Sequence, residues 1–574
     1  MKRLAVFCIL FAFVAIGANA ATPAQERMRE ALVATELARY EHRILTYDAS
    51  KLSEKEKTFL RHMLDAAKIV EEINMLQINP KNLEYMAEIG EKGSNGDKML
   101  FHRNQGPWCL ESDDPLCNAL SSLPQKKIGW GFWPEGMNEK VLTELERMKN
   151  TDELLGPFTF VTYEDEKFKA IPFGESPLIG GRMKQLALHL REAAKFTDEP
   201  SLRKFLNSRA DAFETKSAFP YDASDFDWIA IEGPWEVTVG AYETYKEPMR
   251  KKAQFEMYVA REDPKVGGQL SEYKGHLQEF ENHLADFIGK DLYKPKKLDT
   301  RIQIRAVELI KAAGDGRSPH GATVAYHLPN RGKSVDMGLY KKVMLLNHMR
   351  LFTPLMRERA RVALAKEQAQ LVDEWADIMN TTFHEFAHGF GAHEELPIVV
   401  DGHKTTVGKA LGPIETLMEE LKADVASLWF IPYLVEKGLM KKEEVEKRYT
   451  TAVMHMFGLL QYALKTTYPQ MAAVEVGNLM EKGALSFDRT NERFTIRFDR
   501  MPAAIEDLMK KILAIQITGD KEAAEDLRER YVKKLGEEKY EFGPLLKEPM
   551  TKLKTAFDKA KLKSFAIDYE VTGL

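Results

Sequence analysis

Apolar residues recur at steps of three and four from about 24 to 44 and from 52 to 78, as at Leu60, Met63, Leu64 and Ala67. That period predicts two amphipathic helices. A stretch rich in Gly, Pro and Trp follows, carrying GPWC and WGFWPEG, and reads as loops. The period then shortens to two in FTFVTYEDEKFKAIPF (158–173), WEVTVGAYETY (235–245) and QFEMYVARE (254–262), which predicts strands. From 265 onward helical periodicity dominates, interrupted by ALSFDRTNERFTIRFDR, a predicted hairpin. The expected class is α+β, predominantly α-helical, with a mixed α/β part followed by a helical part.

The chain has 574 residues, more than one ordinary core, so two or more lobes are expected. No repeat period, low-complexity segment or long linker separates them. The first residues, MKRLAVFCILFAFVAIGANA, have two basic residues, an apolar core and Ala18-Asn19-Ala20, the pattern of a signal peptide cut ahead of Ala21. A periplasmic or secreted protein is expected. No later stretch is long and apolar enough to span a membrane. With 82 basic against 87 acidic residues, nothing indicates a nucleic-acid partner. Of the three cysteines, Cys8 leaves with the signal, and Cys109 and Cys117 are expected to form a local disulfide in an oxidising compartment.

Chemistry enters at His384-Glu385-Phe386-Ala387-His388, an HExxH motif. Histidines four apart share one helix face and can share one cation. Neutral imidazole nitrogens suit Zn²⁺, and the glutamate after the first histidine can take a proton from water acidified there. With 14 histidines in the chain, a chance HExxH is expected in roughly a few per cent of such sequences. Hydrolytic zinc sites use three protein ligands, so one more is required. Glu420 and Asp424 are also four apart on a helical run; one carboxylate can bind the metal while the other accepts the second N–H of a histidine ligand. The pattern HExxHxxGxxH is matched at Gly391, but its third-ligand position is Glu394, with His393 one residue early. Gly389 and Gly391 are more simply read as the end of the helix.

These motifs resemble the dipeptidyl peptidase III family of zinc metallopeptidases, and more closely its bacterial members with two residues between the histidines where better-known members have three. The resemblance rests on His384, Glu385, His388, the segment Glu419-Glu420-Leu421-Lys422-Ala423-Asp424 and the intervening KTTVGKALGPIETLMEE, and covers most of the chain. It implies Glu420 as third ligand of one Zn²⁺, Glu385 as base, and Glu419 and Asp424 as carboxylates supporting the histidines. Gly240-Ala241-Tyr242-Glu243-Thr244-Tyr245-Lys246-Glu247-Pro248 is similar to the family segment in which residues matching Glu243 and Tyr245 hold the substrate's amino terminus and the oxyanion. Glu256 corresponds to a further amine anchor. His327-Leu328-Pro329-Asn330 resembles a loop whose polar side chains, His327 and Asn330, grip the substrate backbone. Aligned through Leu479-Met480-Glu481-Lys482-Gly483, the position of a late family histidine that stabilises the transition state falls near Tyr468, and no histidine follows His455. Tyr468 donating a hydrogen bond, or His455 approaching from elsewhere, are the available substitutes.

By resemblance the fold is two lobes flanking a wide cleft, a helical zinc lobe opposite a mixed α/β lobe. The expected division is a signal peptide at 1–20, mixed lobe at 21–263, first part of the helical lobe at 264–310, return to the mixed lobe at 311–354, helical zinc-binding lobe at 355–540 and a C-terminal segment at 541–574. The implied activity is release of dipeptides from the amino termini of short oligopeptides, which need carboxylates to pair with the substrate ammonium. The alternatives are another zinc peptidase, such as an aminopeptidase or endopeptidase, or a weakly catalytic peptide- or zinc-binding relative. No Nudix box of spaced glutamates occurs, which disfavours pyrophosphate hydrolysis.

Overall fold

The computed structural model describes residues 23–112, 114–124, 126, 131–216, 220–244, 246–298, 301, 303–317, 323–536 and 539–574. The expected signal peptide, with Cys8, therefore lies outside the described residues, as does Tyr245. Contacts divide the chain into two units, Met1–Arg39 with Glu84–Lys126, and Tyr40–Leu83 with Lys127–Leu574.

In the first unit, helix α1 (Pro23–Leu37) pairs Arg29 with Asp97 and Glu36 with Arg103, the latter at 2.9 Å. All four side chains are buried, so each charge depends on its partner. Cys109 and Cys117 are joined in a disulfide with Cα atoms 5.9 Å apart.

The second unit carries β1 (Tyr40–Asp48), where the sequence predicts helix to 44. Its nine residues pair in parallel with β9 (Ser564–Thr572), more than 500 positions away, and that pairing overrides the local period. Helix α2 (Glu54–Ile78) starts at a capping box on Ser53 and Glu56 and buries Phe59, Leu60, Met63, Ala67 and Val70 against a five-stranded sheet. The stretch at 158–173 is a hairpin, β2 (Thr159–Glu164) and β3 (Lys167–Pro172), turning on Asp165 and Glu166, both at positive φ.

The sheet has the order β4-β5-β6-β8-β7, with β4 (Trp235–Ala241), β5 (Phe255–Glu262), β6 (Gln303–Gly314), β7 (Ala325–Leu328) and β8 (Lys341–Leu345). Only β6 and β8 run parallel. The strand predicted at 235–245 stops at Ala241, and residues 242–244 leave the ladder. Strand β6 begins at Gln303, inside the segment 264–310 that the sequence assigns to the helical lobe. Its mostly buried LIKAAG run follows two helices, Pro264–Lys274 and Leu277–Ile288.

Two hydrophobic cores result. One lies beneath the sheet, between α2, the β4–β5 pair and the helices α3 (Gly180–Ala194) and α4 (Pro200–Glu214). The other joins the helices Pro264–Lys274 and Leu277–Ile288, through Leu270, Phe280 and Leu284, to later helices: α5 (Leu346–Ala363), α6 (Glu374–His388), α7 (Glu415–Trp429), α8 (Val445–Leu459), α9 (Thr467–Glu481) and α10 (Met501–Thr518). The predicted hairpin is present as Leu485–Asp488 against Arg493–Ile496. The fold is α+β and mostly helical, as expected. No described helix is long and apolar enough to cross a membrane.

Candidate metal centre and active site

Helix α6 starts where the Asp373 carboxylate accepts from Ala376 N and ends at His388, where the Gly389 N–H turns back to Phe386 O and Ala387 O. Phe383 and Phe386 are buried and anchor one face among Phe280 and Phe430. Gly391, at φ +65, makes the left-handed turn beyond the helix and donates its N–H to Glu281 at 2.9 Å. Packing of α6 against α7 brings the HExxH face onto Glu419, Glu420 and Asp424.

His384 Nε2 and His388 Nε2 lie 3.2 Å apart, and Glu420 Oε2 lies 3.4 Å from the first and 3.8 Å from the second. The outer nitrogens are committed elsewhere: His384 Nδ1 is 3.1 Å from Asp424 Oδ1, and His388 Nδ1 is 2.9 Å from Glu419 Oε1. Carboxylates only accept, so both rings carry their hydrogen on Nδ1 and direct Nε2 lone pairs into one space. Two lone pairs and a carboxylate oxygen so placed repel one another unless a cation lies between them. The donor set therefore fits a metal ion. His393 and Glu394 are not part of this cluster among the described residues, so the longer histidine pattern is not realised.

The electrostatics agree. Burial disfavours charge on His384, but Asp424 and Glu420 outweigh it and raise the ring's proton affinity well above the ordinary imidazole value. Burial works against ionised Glu420, and the two histidines overcome it, lowering its pKa. For Glu419, burial is overcome by Lys422 and His388, which bring it down to about 2. Lys422 is fully buried, donates to Phe390 O and Ala392 O, and sits 2.8 Å from Glu419 Oε1. Behind Asp424 lies Glu475, whose pKa is pushed well up by burial and by the Asp424 charge.

Around this centre stand groups with unused capacity. Glu385 is buried, and its Oε2 makes no hydrogen bond among the described residues. Tyr468 places its hydroxyl 3.4 Å from Glu420 Oε1; although 42% of the residue is exposed, the hydroxyl end is desolvated among Glu420, Glu243 and Glu385, which raise its pKa well above the phenol value. His455 instead lies near enough to Asp424 and His384 to feel both charges. Asn330 Nδ2 donates to Glu243 Oε2 at 3.3 Å and to Tyr242 O at 3.3 Å, and its own buried Oδ1 has no partner among the described residues. Glu243 is raised to about 7 by burial, with Asp315, Glu420 and Glu385 adding and Arg331 opposing. Glu256, facing Gly240 across the β4–β5 ladder, is raised well above the carboxylate range by burial and by Glu243; Tyr258 donates to its Oε2 at 3.2 Å and its buried Oε1 has no described partner. His327 is held against the carbonyl of Glu385.

Comparison with known proteins points the same way. The family model described as Peptidase family M49 matches residues 171–283, the stretch that contains Glu243 and Glu256. The fold matches the structure of DPP III from Caldithrix abyssi with a TM-score of 0.80 and 27% identity over 93% of this chain and 98% of that one. It matches the dipeptidyl-peptidase III from Corallococcus sp. strain EGB equally, with a TM-score of 0.80 and 28% identity over 94% and 96%.

The chain is similar to the dipeptidyl peptidase III family.

It is a peptidase of that kind, with a group of donors able to hold a metal. A protein of Arabidopsis thaliana named Nudix hydrolase 3 is 28% identical over 554 residues, spanning 86% of this chain and 70% of that protein. Of the residues singled out from sequence, the structure brings His384, His388, Glu419, Glu420, Asp424, Glu385 and Tyr468 together, and sets Glu243, Glu256, Asn330 and His327 facing the same region; Tyr245 is outside the described residues. Three buried polar residues carry no signal in the sequence: Lys422, Glu475 and Lys342. Lys422 and Glu475 follow helical spacing that also fits solvated faces, and Lys342 sits in an ordinary strand pattern, so local sequence held no signal for them.

Proposed function

We propose that this protein is a zinc-dependent exopeptidase that releases dipeptides from the amino termini of short oligopeptides outside the cytoplasm. The observation that supports zinc most directly is the pair of Nε2 atoms 3.2 Å apart with Glu420 Oε2 beside them. Tetrahedral ligands with Zn–N bonds of about 2.0–2.1 Å lie about 3.3 Å from one another, which is this spacing. His384, His388 and Glu420 would hold the ion, leaving one position for solvent. When bound, zinc supplies a Lewis acid that acidifies water and polarises a carbonyl.

The rest is the work of the chain. Glu385 accepts the proton of the attacking water on its uncommitted Oε2 and passes it to the leaving amine. Asp424 and Glu419 hold the histidine rings in the metal-binding tautomer. Tyr468 donates toward charge developing near Glu420. Glu243 and Glu256 receive the substrate's ammonium group, and a buried acidic pair tolerates a cation far better than a neutral blocked amine. Asn330 Oδ1 and His327 bind the peptide backbone. A role for Tyr245 at the carbonyl oxygen rests on the sequence resemblance.

The test is turnover of a dipeptidyl arylamide, free and amino-acetylated, by metal-loaded protein. Release of intact dipeptide from the free substrate alone supports the reading. Single-residue products, internal cleavage, or equal hydrolysis of the blocked form would replace it with an aminopeptidase or endopeptidase. Glu385→Gln should remove turnover by at least about 10²-fold with zinc retained, and persistent hydrolysis takes Glu385 out of the mechanism.

A further inference from the structure

His327 and Lys342 are directly opposed on β7 and β8, so their side chains leave the sheet on one face. That face meets helix α6 at Glu385. Because α6 ends at His388 and Gly389 N–H bonds Phe386 O and Ala387 O, the Glu385 carbonyl lacks the donor four residues on. Lys342 Nζ fills that place, donating to Glu385 O, and lies 2.7 Å from His327 Nδ1. The same Nδ1 is 3.2 Å from Glu385 O. Lys342 is 1% exposed and stacks over the rings of Tyr340 and Phe386; among the described residues the Glu385 carboxylate acts on it only through space, without a close ion pair. A buried lysine kept without an ion pair calls for an explanation, since burying an ammonium or amine nitrogen is costly unless its hydrogens are used.

The carbonyl oxygen can only accept, so Nζ must give it one hydrogen. Ammonium or amine, Nζ retains another, and the nearest remaining acceptor is His327 Nδ1. An Nδ1 that accepts forces the ring hydrogen onto Nε2, which has no hydrogen-bond partner among the described residues. The ring lies edge-on to His388 with centroids 5.9 Å apart, beside the metal donors.

We propose that Lys342 is a positioning residue of this peptidase: it fixes His327 as the Nε2–H tautomer, a donor turned to the substrate's backbone carbonyl, and pins the main chain that carries Glu385. This rests on the reading above that His327 touches substrate. In the opposite arrangement Nδ1–H donates to Glu385 O, Nζ accepts, and Nε2 offers a lone pair that no carbonyl can use.

Two measurements test it. Nitrogen-15 NMR of histidine-labelled, zinc-loaded protein, with His327→Gln used to assign the resonance, should show His327 Nδ1 as the non-protonated nitrogen and Nε2 as protonated. The reverse assignment overturns the proposal whether or not the protein is a dipeptidase. In kinetics, Lys342→Met and His327→Gln should each lower kcat/KM by roughly 10- to 100-fold with zinc content unchanged, and the double variant should fall no further than the worse single one. Losses that multiply would show that Lys342 does not act through His327. If Lys342→Met does not fold, the NMR assignment on the unaltered protein decides alone. A wild-type protein that releases no dipeptide sinks the functional reading, and the tautomer result still stands or falls independently.

Discussion

His388 Nδ1 lies 2.9 Å from Glu419 Oε1, and the buried Lys422 ammonium approaches the same oxygen at 2.8 Å. The lysine keeps Glu419 ionised, with its pKa near 2, although burial alone would raise it. Ionised Glu419 in turn orients the His388 ring and would strengthen it as the proposed ligand.

Metal affinity should therefore depend on a residue that never approaches the metal. Lys422→Met is expected to weaken zinc binding by about 10- to 100-fold, measured by competition with a chromogenic chelator. The sign with pH follows: a depressed carboxylate contributes above its unfolded pKa and loses that contribution as pH falls toward about 2, so in the wild type Glu419 stays charged through the working range, whereas in the variant zinc loss should move to higher pH.

The amino-terminal anchor proposed above makes a second pH prediction. Glu243, raised to about 7, is mostly protonated below that pH and binds an ammonium group only when ionised. A free peptide amine loses its proton near pH 7.7–8.0. The logarithm of kcat/KM should rise with pH through about 7 and flatten or fall near 8. Glu243→Gln should lower kcat/KM and abolish the lower limb, and an unchanged lower limb would assign it to another group.

Tyr468 stands where the family resemblance places a histidine. With its pKa well above 10 it remains a neutral donor at any working pH. Tyr468→Phe should cut kcat about tenfold or more while KM and zinc content stay the same, since one lost donor to developing charge costs in the transition state. Tyr468→His tests whether this site accepts the histidine of better-known members.

The disulfide makes a prediction confined to the first unit. Closing a loop between Cys109 and Cys117 stabilises the unit by about 2–3 kcal/mol in the chain-entropy account. Reduction, or Cys109→Ala with Cys117→Ala, should lower its melting transition and leave zinc content unaltered.

Much of the donor cluster was legible because its spacing is local: i and i+4 on α6 give the two histidines, and i and i+4 on α7 give Glu420 and Asp424. Local spacing left open which carboxylate joins the two histidines, and only the packing of α6 on α7 puts Asp424 on His384 Nδ1 and Glu420 beside the two Nε2 atoms. Lys342 was illegible for a related reason. It gains meaning from β7 across the ladder and from the end of a helix 43 residues on. Strand β1 was misread as helix because its partner, β9, closes the chain from its far end. The α+β class was readable from the change in period, whereas the separate unit around Arg29, Asp97 and the cysteines depends on buried ion pairs that no periodicity announces.

The central claim is that one zinc ion lies between His384, His388 and Glu420. Anomalous diffraction on crystals of zinc-loaded protein, recorded on both sides of the zinc absorption edge, measures this directly. The account predicts one dominant peak within bonding distance of both Nε2 atoms and a Glu420 oxygen. A peak elsewhere, or Glu420 turned away from an ion bound by the histidines alone, would contradict it.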